Sequence, residues 1–155
     1  MSTIAEVKSY LAQQKIEVRE YRQPTPTAVA AAAAVGCSVA EIAKTLLFLV
    51  GGQSVVVVTC GDMKVKSSRL KQAAGLSGKV KLPQADEVLH RTGYAPGGVC
   101  PFLLPVDLPV LLDVSLTRFP LVYAAAGNGY SAVPVTYSQL QALTGGCRAD
   151  VCEQI

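Results

Sequence analysis

The sequence predicts an α+β fold, a mixed and largely antiparallel twisted sheet covered by helices, and three observations carry that expectation. Two apolar runs, 46–50 and 55–58, flank Gly51-Gly52-Gln53-Ser54 and read as a hairpin of strands buried on both faces. Two capping boxes and an alanine-rich run supply helices to cover it. Three further strand-like stretches, 110–114, 121–126 and 131–135, lack the helix-by-strand alternation of a parallel sheet.

Thr3 and Glu6 form the first capping box, and Ile4, Val7 and Leu11 follow at helical spacing, so a helix runs to about Gln14. Ile16 and Val18 alternate with Glu17 and Arg19 as a half-buried strand that ends before Pro24. Thr25-Pro26 starts and Gly36 stops the alanine-rich helix, which is thin enough to lie close on the hairpin. Ser38 and Glu41 make the second capping box, a short turn that delivers the chain to Lys44.

After the hairpin, Gly61-Asp62 turns the chain, Ser67 or Ser68 caps a short basic helix closing at Gly75, and Val80 and Leu82 alternate with lysines as a strand. Residues 83–91 read as a helix with Ala85, Val88 and Leu89 inward. The stretch GYAPGGVCP that follows Thr92 is irregular. Gly127-Asn128-Gly129 marks a tight turn between the last two strands, and Thr136 caps a final helix to Leu143.

With 155 residues, half of them hydrophobic and 16% charged, the chain can bury one substantial core, and a single domain over 1–155 is expected. A net charge of +3 is too mild to mark a nucleic-acid protein. Its placement is more informative: Lys64, Lys66, Arg69, Lys71, Lys79 and Lys81 gather with only Asp62 beside them, either as a solvated face or as a surface for an anionic partner. The five cysteines are odd in number and lack a C-x-x-C pair, and there is one histidine, so no metal site is expected. The first residues lack the regions of a signal peptide, and no run approaches the ~20 apolar residues of a membrane span. A reduced, cytoplasmic protein follows as the expectation.

Among residues that could carry chemistry, Lys44 stands at the mouth of an apolar strand, where a charge is costly unless an anionic group meets it. Gly97 and Gly98 can bring backbone amides close to a ligand, or simply make a sharp turn. Asn128 reads equally as a turn residue tolerant of positive φ or as a substrate contact, and Asp113 as a partner of Lys44 or the cap of a local turn. Cys100 follows a glycine-rich loop, but a thiol nucleophile needs a base, and His90 lies on a predicted helix.

The series Ala43-Lys44-Thr45-Leu46, Gly93-Tyr94-Ala95-Pro96-Gly97-Gly98-Val99-Cys100-Pro101-Phe102, Leu112-Asp113-Val114-Ser115-Leu116 and Ala126-Gly127 resembles the YbaK-type aminoacyl-tRNA deacylases, relatives of the editing domain inserted in bacterial prolyl-tRNA synthetases. The resemblance covers nearly the whole chain in the family's order. It implies a barrel-like sheet and hydrolysis of the ester joining a wrong amino acid to the 3′ end of a tRNA, with no protein nucleophile and no cofactor. Lys44 matches the family's essential lysine, and 97–101 its G-x-x-x-P loop, which lies against the terminal adenosine and the aminoacyl group. The chain departs from the pattern at Cys100, where serine is common, and at Leu103, where glycine is common.

On this resemblance Lys44 and Gly97 are the expected catalytic residues, and Thr45, Gly98, Cys100, Pro101 and Asn128 the expected substrate contacts. Lys64, Lys66, Arg69 and Lys71 are the expected tRNA contacts. The implied partner is a mischarged aminoacyl-tRNA, most simply a small amino acid on a proline tRNA, with an aminoacyl-tRNA synthetase as a second candidate. No membrane partner is expected, and a monomer is the favoured state. Two other readings stay open: a non-catalytic module that holds a tRNA acceptor end, and a thiol hydrolase built on Cys100.

Overall fold

The computed structural model describes residues 3–155. At its centre the two apolar runs form the expected hairpin, β2 over Ile42–Val50 and β3 over Gln53–Cys60. Gly51 and Gly52 make the connection at φ 58° and 85°, both left-handed, as a two-residue turn between twisted strands demands. Strands alternate sides, and the hairpin is buried on both. Leu47, Val56 and Val58 enter one core with Val7, Leu11, Tyr94, Phe102 and Leu140, while Phe48, Val50, Val55 and Val57 enter a second with Leu70 and Val151. Val55 to Val58 are wholly buried, and each side chain contributes roughly 1.5–3 kcal/mol.

Around this hairpin the elements follow in chain order. Helix α1 is Ile4–Ala12, capped reciprocally by Thr3 and Glu6, and β1 is only Arg19–Glu20. The strand expected from Ile16 is thus shortened, because Lys15 turns at φ 59° and its neighbours lack a ladder partner until Arg19 meets Ala132. Helix α2 spans Ala28–Val35 and ends at Gly36, φ 85°. Its cap is Thr27, not Thr25: the Thr27 hydroxyl accepts from Ala30 N, whereas the Thr25 hydroxyl donates to Ser131 O and accepts from Ser131 N. Ala31 and Ala32 pack on Ile42, the close approach that a thin helix permits.

In the Val39–Glu41 turn, the Glu41 carboxylate accepts from the Ser38 N–H and hydroxyl. Beyond β3 come β4 over Met63–Val65, α3 over Ser67–Ala74, β5 over Val80–Lys81 and α4 over Ala85–Thr92. Lys66, without a side-chain cap bond, occupies the position before α3, so neither serine caps it. Ala85 is exposed at the first turn of α4, with Val88 and Leu89 half-buried behind it.

The rest is β6 over Val110–Asp113, β7 over Val122–Ala124, β8 over Ser131–Val135, α5 over Tyr137–Thr144, β9 over Cys147–Ala149 and β10 over Cys152–Gln154. The pairings run as an open path β1-β8-β7-β2-β3-β6-β9, with β5 also on β2 and a separate β10-β4 pair. Antiparallel pairs outnumber parallel ones, the latter being β2-β7, β3-β6 and β6-β9. Strands β4, β9 and β10 were not expected from the sequence. Among the described residues no helix is long and apolar enough to cross a membrane.

Candidate active site

Three loops meet beside β2. The Gly98 N–H closes a turn on Ala95 O, and the Tyr94 hydroxyl donates to Phe102 O, which folds 94–102 into a compact loop. A side chain at Gly97, φ 88°, would meet Pro26 at 3.0 Å, and one at Gly98 would meet Asn128 Cα at 2.8 Å. The glycines are therefore required by close approach of the Pro26 and Asn128 segments, whatever else they do. Thr25 N donates to Gly129 O, which ties the Pro26 segment to the Asn128 segment.

Between these loops, β2, α2 and α4 lies a cavity of about 460 Å³. Its wall carries Lys44, Thr45 and Gly97 from the sequence-expected set, and Lys44 is its one charged residue among the described residues. Gly98, Cys100, Pro101 and Asn128, expected as substrate contacts, are not among the residues that line it. Cys100 is wholly buried, its Sγ 3.7 Å from Phe102 O, and burial pushes the thiol up to about 11. Asn128 does not take positive φ; Gly127 does, at 105°, and the Asn128 Oδ1 accepts from Tyr130 N at 2.9 Å. The tight turn expected at Gly127-Asn128-Gly129 is thus a wider loop, 125–130.

Lys44 is held firmly. Its Nζ donates to Met63 O and, at 3.5 Å, to Gly61 O, so the ammonium of this cavity-lining residue sits on the carbonyls of the turn after β3. Burial lowers its pKa from the ordinary 10.5. Asp113 is not its partner. That buried carboxylate accepts from Ser115 N and Thr59 Oγ1 and, through its other oxygen, from Val151 N.

Leu103 has φ 54°, a left-handed backbone that glycine takes without cost, so the loop keeps a glycine-like conformation at a leucine. In the basic segment the fold adds carboxylates that are distant in sequence: Lys64 lies 3.7 Å from Glu153 and Arg69 3.5 Å from Asp150. Sequence reasoning did not single out Pro26, Pro83, Val88, Val99, Ala124 or Ala125 as wall residues. The prolines are the one local signal it had, since each breaks regular structure beside a strand or helix.

A family model of the aminoacyl-tRNA editing domain matches residues 22–143. The uncharacterized protein YwhH of Bacillus subtilis is 39% identical over 125 residues, 80% of this chain and 78% of that protein. The proline–tRNA ligase of Lysinibacillus sphaericus is 32% identical over 97 residues, which are 62% of this chain and 17% of the ligase. A solved structure described as a proposed trans-editing enzyme for prolyl tRNA synthetase shares 31% identity, with a TM-score of 0.85 over 99% of each chain.

Proposed function

The chain belongs to the aminoacyl-tRNA editing domain family, and on that premise we propose that it is a free-standing deacylase that hydrolyses the ester of a mischarged tRNA. The substrate proposed is a small amino acid on a proline tRNA. The observation that carries this reading is the convergence of Lys44 and Gly97 on one cavity of about 460 Å³, a volume in the range of small-molecule sites, walled mainly by alanine, valine, leucine and proline. Lys44 contributes a fixed positive charge beside the reacting ester. The Gly97 N–H is suited to a developing oxyanion, which needs a donor that reorganises little during the reaction. Lys64, Lys66, Arg69 and Lys71 are proposed to receive tRNA phosphates, and the Lys44 to Met63 bond links the cavity to the strand that carries Lys64.

A second reading, a binding module without turnover, is favoured by one observation: the Lys44 ammonium is already engaged by two backbone carbonyls. Turnover separates the two. A panel of mischarged tRNAs, each in large excess over the protein, should show many equivalents discharged for at least one small amino acid. Binding of the tRNA with no discharge above the spontaneous rate would leave only the binding module.

A further inference from the structure

One edge of β2 is filled by β3 throughout, but the other is not. There β7 pairs residues 42–43 and β5 pairs residues 49–50, leaving 44–48 with no strand beside them among the described residues. The ladder's phase says which backbone groups face that gap. A two-residue turn makes Val50 and Gln53 a hydrogen-bonded pair, so alternate residues back along β2 also point at β3. The bond from Gly61 N to Ile42 O fits this phase. Thr45 and Leu47 therefore direct their N–H and C=O groups to the open edge.

Pro83 keeps the edge open. The register of Leu49 with Lys81 brings residue 83 opposite Leu47, and proline has no N–H to extend the ladder. The cavity occupies this gap, with Thr45 and Leu47 along one side, Leu82 and Pro83 at one end, and Ala124 and Ala125 at the other. Thr45 adds a buried hydroxyl oxygen with no hydrogen-bond partner among the described residues, a group that is costly to leave unpaired.

We propose that this edge recognises the aminoacyl group as a one-residue added strand. An aminoacyl ester carries its α-amine and its carbonyl on one residue, the two groups that a residue exchanges with its opposite in a hydrogen-bonded antiparallel pair. The amine donates to Thr45 O and to the Thr45 hydroxyl, the ester carbonyl accepts from Thr45 N, and the side chain lies on the apolar wall. Thr45 is thereby a positioning residue that requires a free α-amine. This inference rests on the deacylase reading for its choice of ligand.

The test uses two stable probes, 3′-alanylamino-3′-deoxyadenosine and its 3′-propionylamino counterpart, which differ only in the amine. Amide NMR of the whole chain should show the Thr45 N–H resonance moving with the alanyl probe, and that probe binding at least about tenfold more tightly, as one lost hydrogen-bonding group predicts. Thr45→Val, which keeps the shape and removes the hydroxyl, should narrow the preference about threefold or more. Equal binding of the two probes, or binding that leaves the Thr45 amide unmoved, would overturn the assignment. If turnover on alanyl-tRNA is absent while these shifts persist, the deacylase reading fails and the edge stands. Turnover without the shifts means the reverse.

Discussion

The Lys44 ammonium donates to the carbonyl of Met63, nineteen positions along the chain and on the far side of the turn that leaves β3. One residue thus both lines the cavity and clamps the Gly61–Met63 turn with its ammonium. Lys44→Met keeps the stem and removes the clamp. It should abolish most deacylation and, unlike a purely electrostatic loss, cost about 1–2 kcal/mol of stability, the worth of charge-assisted bonds at a half-buried site. Denaturant melts beside turnover measurements check both; full activity in the variant would remove Lys44 from the mechanism.

The same lysine sets a pH dependence whose sign can be stated. Its folded pKa lies below the ordinary 10.5 because burial disfavours the charge. Between those two values the unfolded chain binds more protons, so Lys44 makes stability rise with pH there. Activity that needs the charge falls as pH passes upward through the lowered value. After subtraction of spontaneous hydrolysis, kcat/KM should descend on the alkaline side in the wild type, and Lys44→Met should lack that descent.

Gly97 and Gly98 separate conformational from contact requirements. Gly97→Ala places a side chain at φ 88° and against the Pro26 side chain at 3.0 Å, which costs about 1–2 kcal/mol of backbone energy. Gly98→Ala meets Asn128 backbone at 2.8 Å, where no side-chain rotation gives relief, so the two loops must part. Gly98→Ala should therefore melt at the lower temperature, and both should lose activity. Equal melting temperatures would show that the loops separate freely.

How much of this was legible depended on how local each determinant is. The hairpin could be read because Gly51-Gly52 sits between two apolar runs, and the turn at Val39–Glu41 because Ser38 and Glu41 lie three residues apart. Strands β9 and β10 are three residues each, too short for any periodicity, and Val151 between them is fixed by the distant Asp113 carboxylate. The role of Pro83 was hidden for the same reason: it follows from the pairing of Leu49 with Lys81, which no spacing along the chain encodes. Lys44 stood out as a candidate because it is an isolated charge in an apolar run, but its carbonyl partners belong to the next turn of the fold.

The basic segment yields a prediction that runs opposite to simple charge removal. Asp150 and Glu153 stand beside Arg69 and Lys64, and these exposed pairs hold little stability. Asp150→Asn with Glu153→Gln removes both carboxylates, leaving Lys64 without its ion pair and Arg69 with its bond to the Cys152 carbonyl. If the cluster receives phosphates, tRNA binding should tighten and its salt dependence steepen, because more counterions are released on binding. An unchanged slope of affinity against salt would assign the cluster to solvent.

Cys100 decides between ester hydrolysis by activated water and a thiol enzyme. A nucleophilic cysteine needs a lowered pKa and access to its substrate. Cys100 has neither: it is wholly buried, its thiol is pushed up to about 11 by that burial, and its Sγ lies 3.7 Å from the Phe102 carbonyl inside the loop. The nearby Tyr94 hydroxyl donates to the same carbonyl, so the thiol belongs to the packing that holds 94–102 folded. Cys100→Ser should keep at least about a fifth of wild-type turnover, since a hydroxyl of similar size can donate to Phe102 O at a cost near 1 kcal/mol or less. Mass spectrometry of the wild type during turnover should find no acyl adduct on this residue, and the folded protein should resist alkylation there. Loss of nearly all turnover in the serine variant, together with a thioester on Cys100, would replace the water mechanism with covalent catalysis.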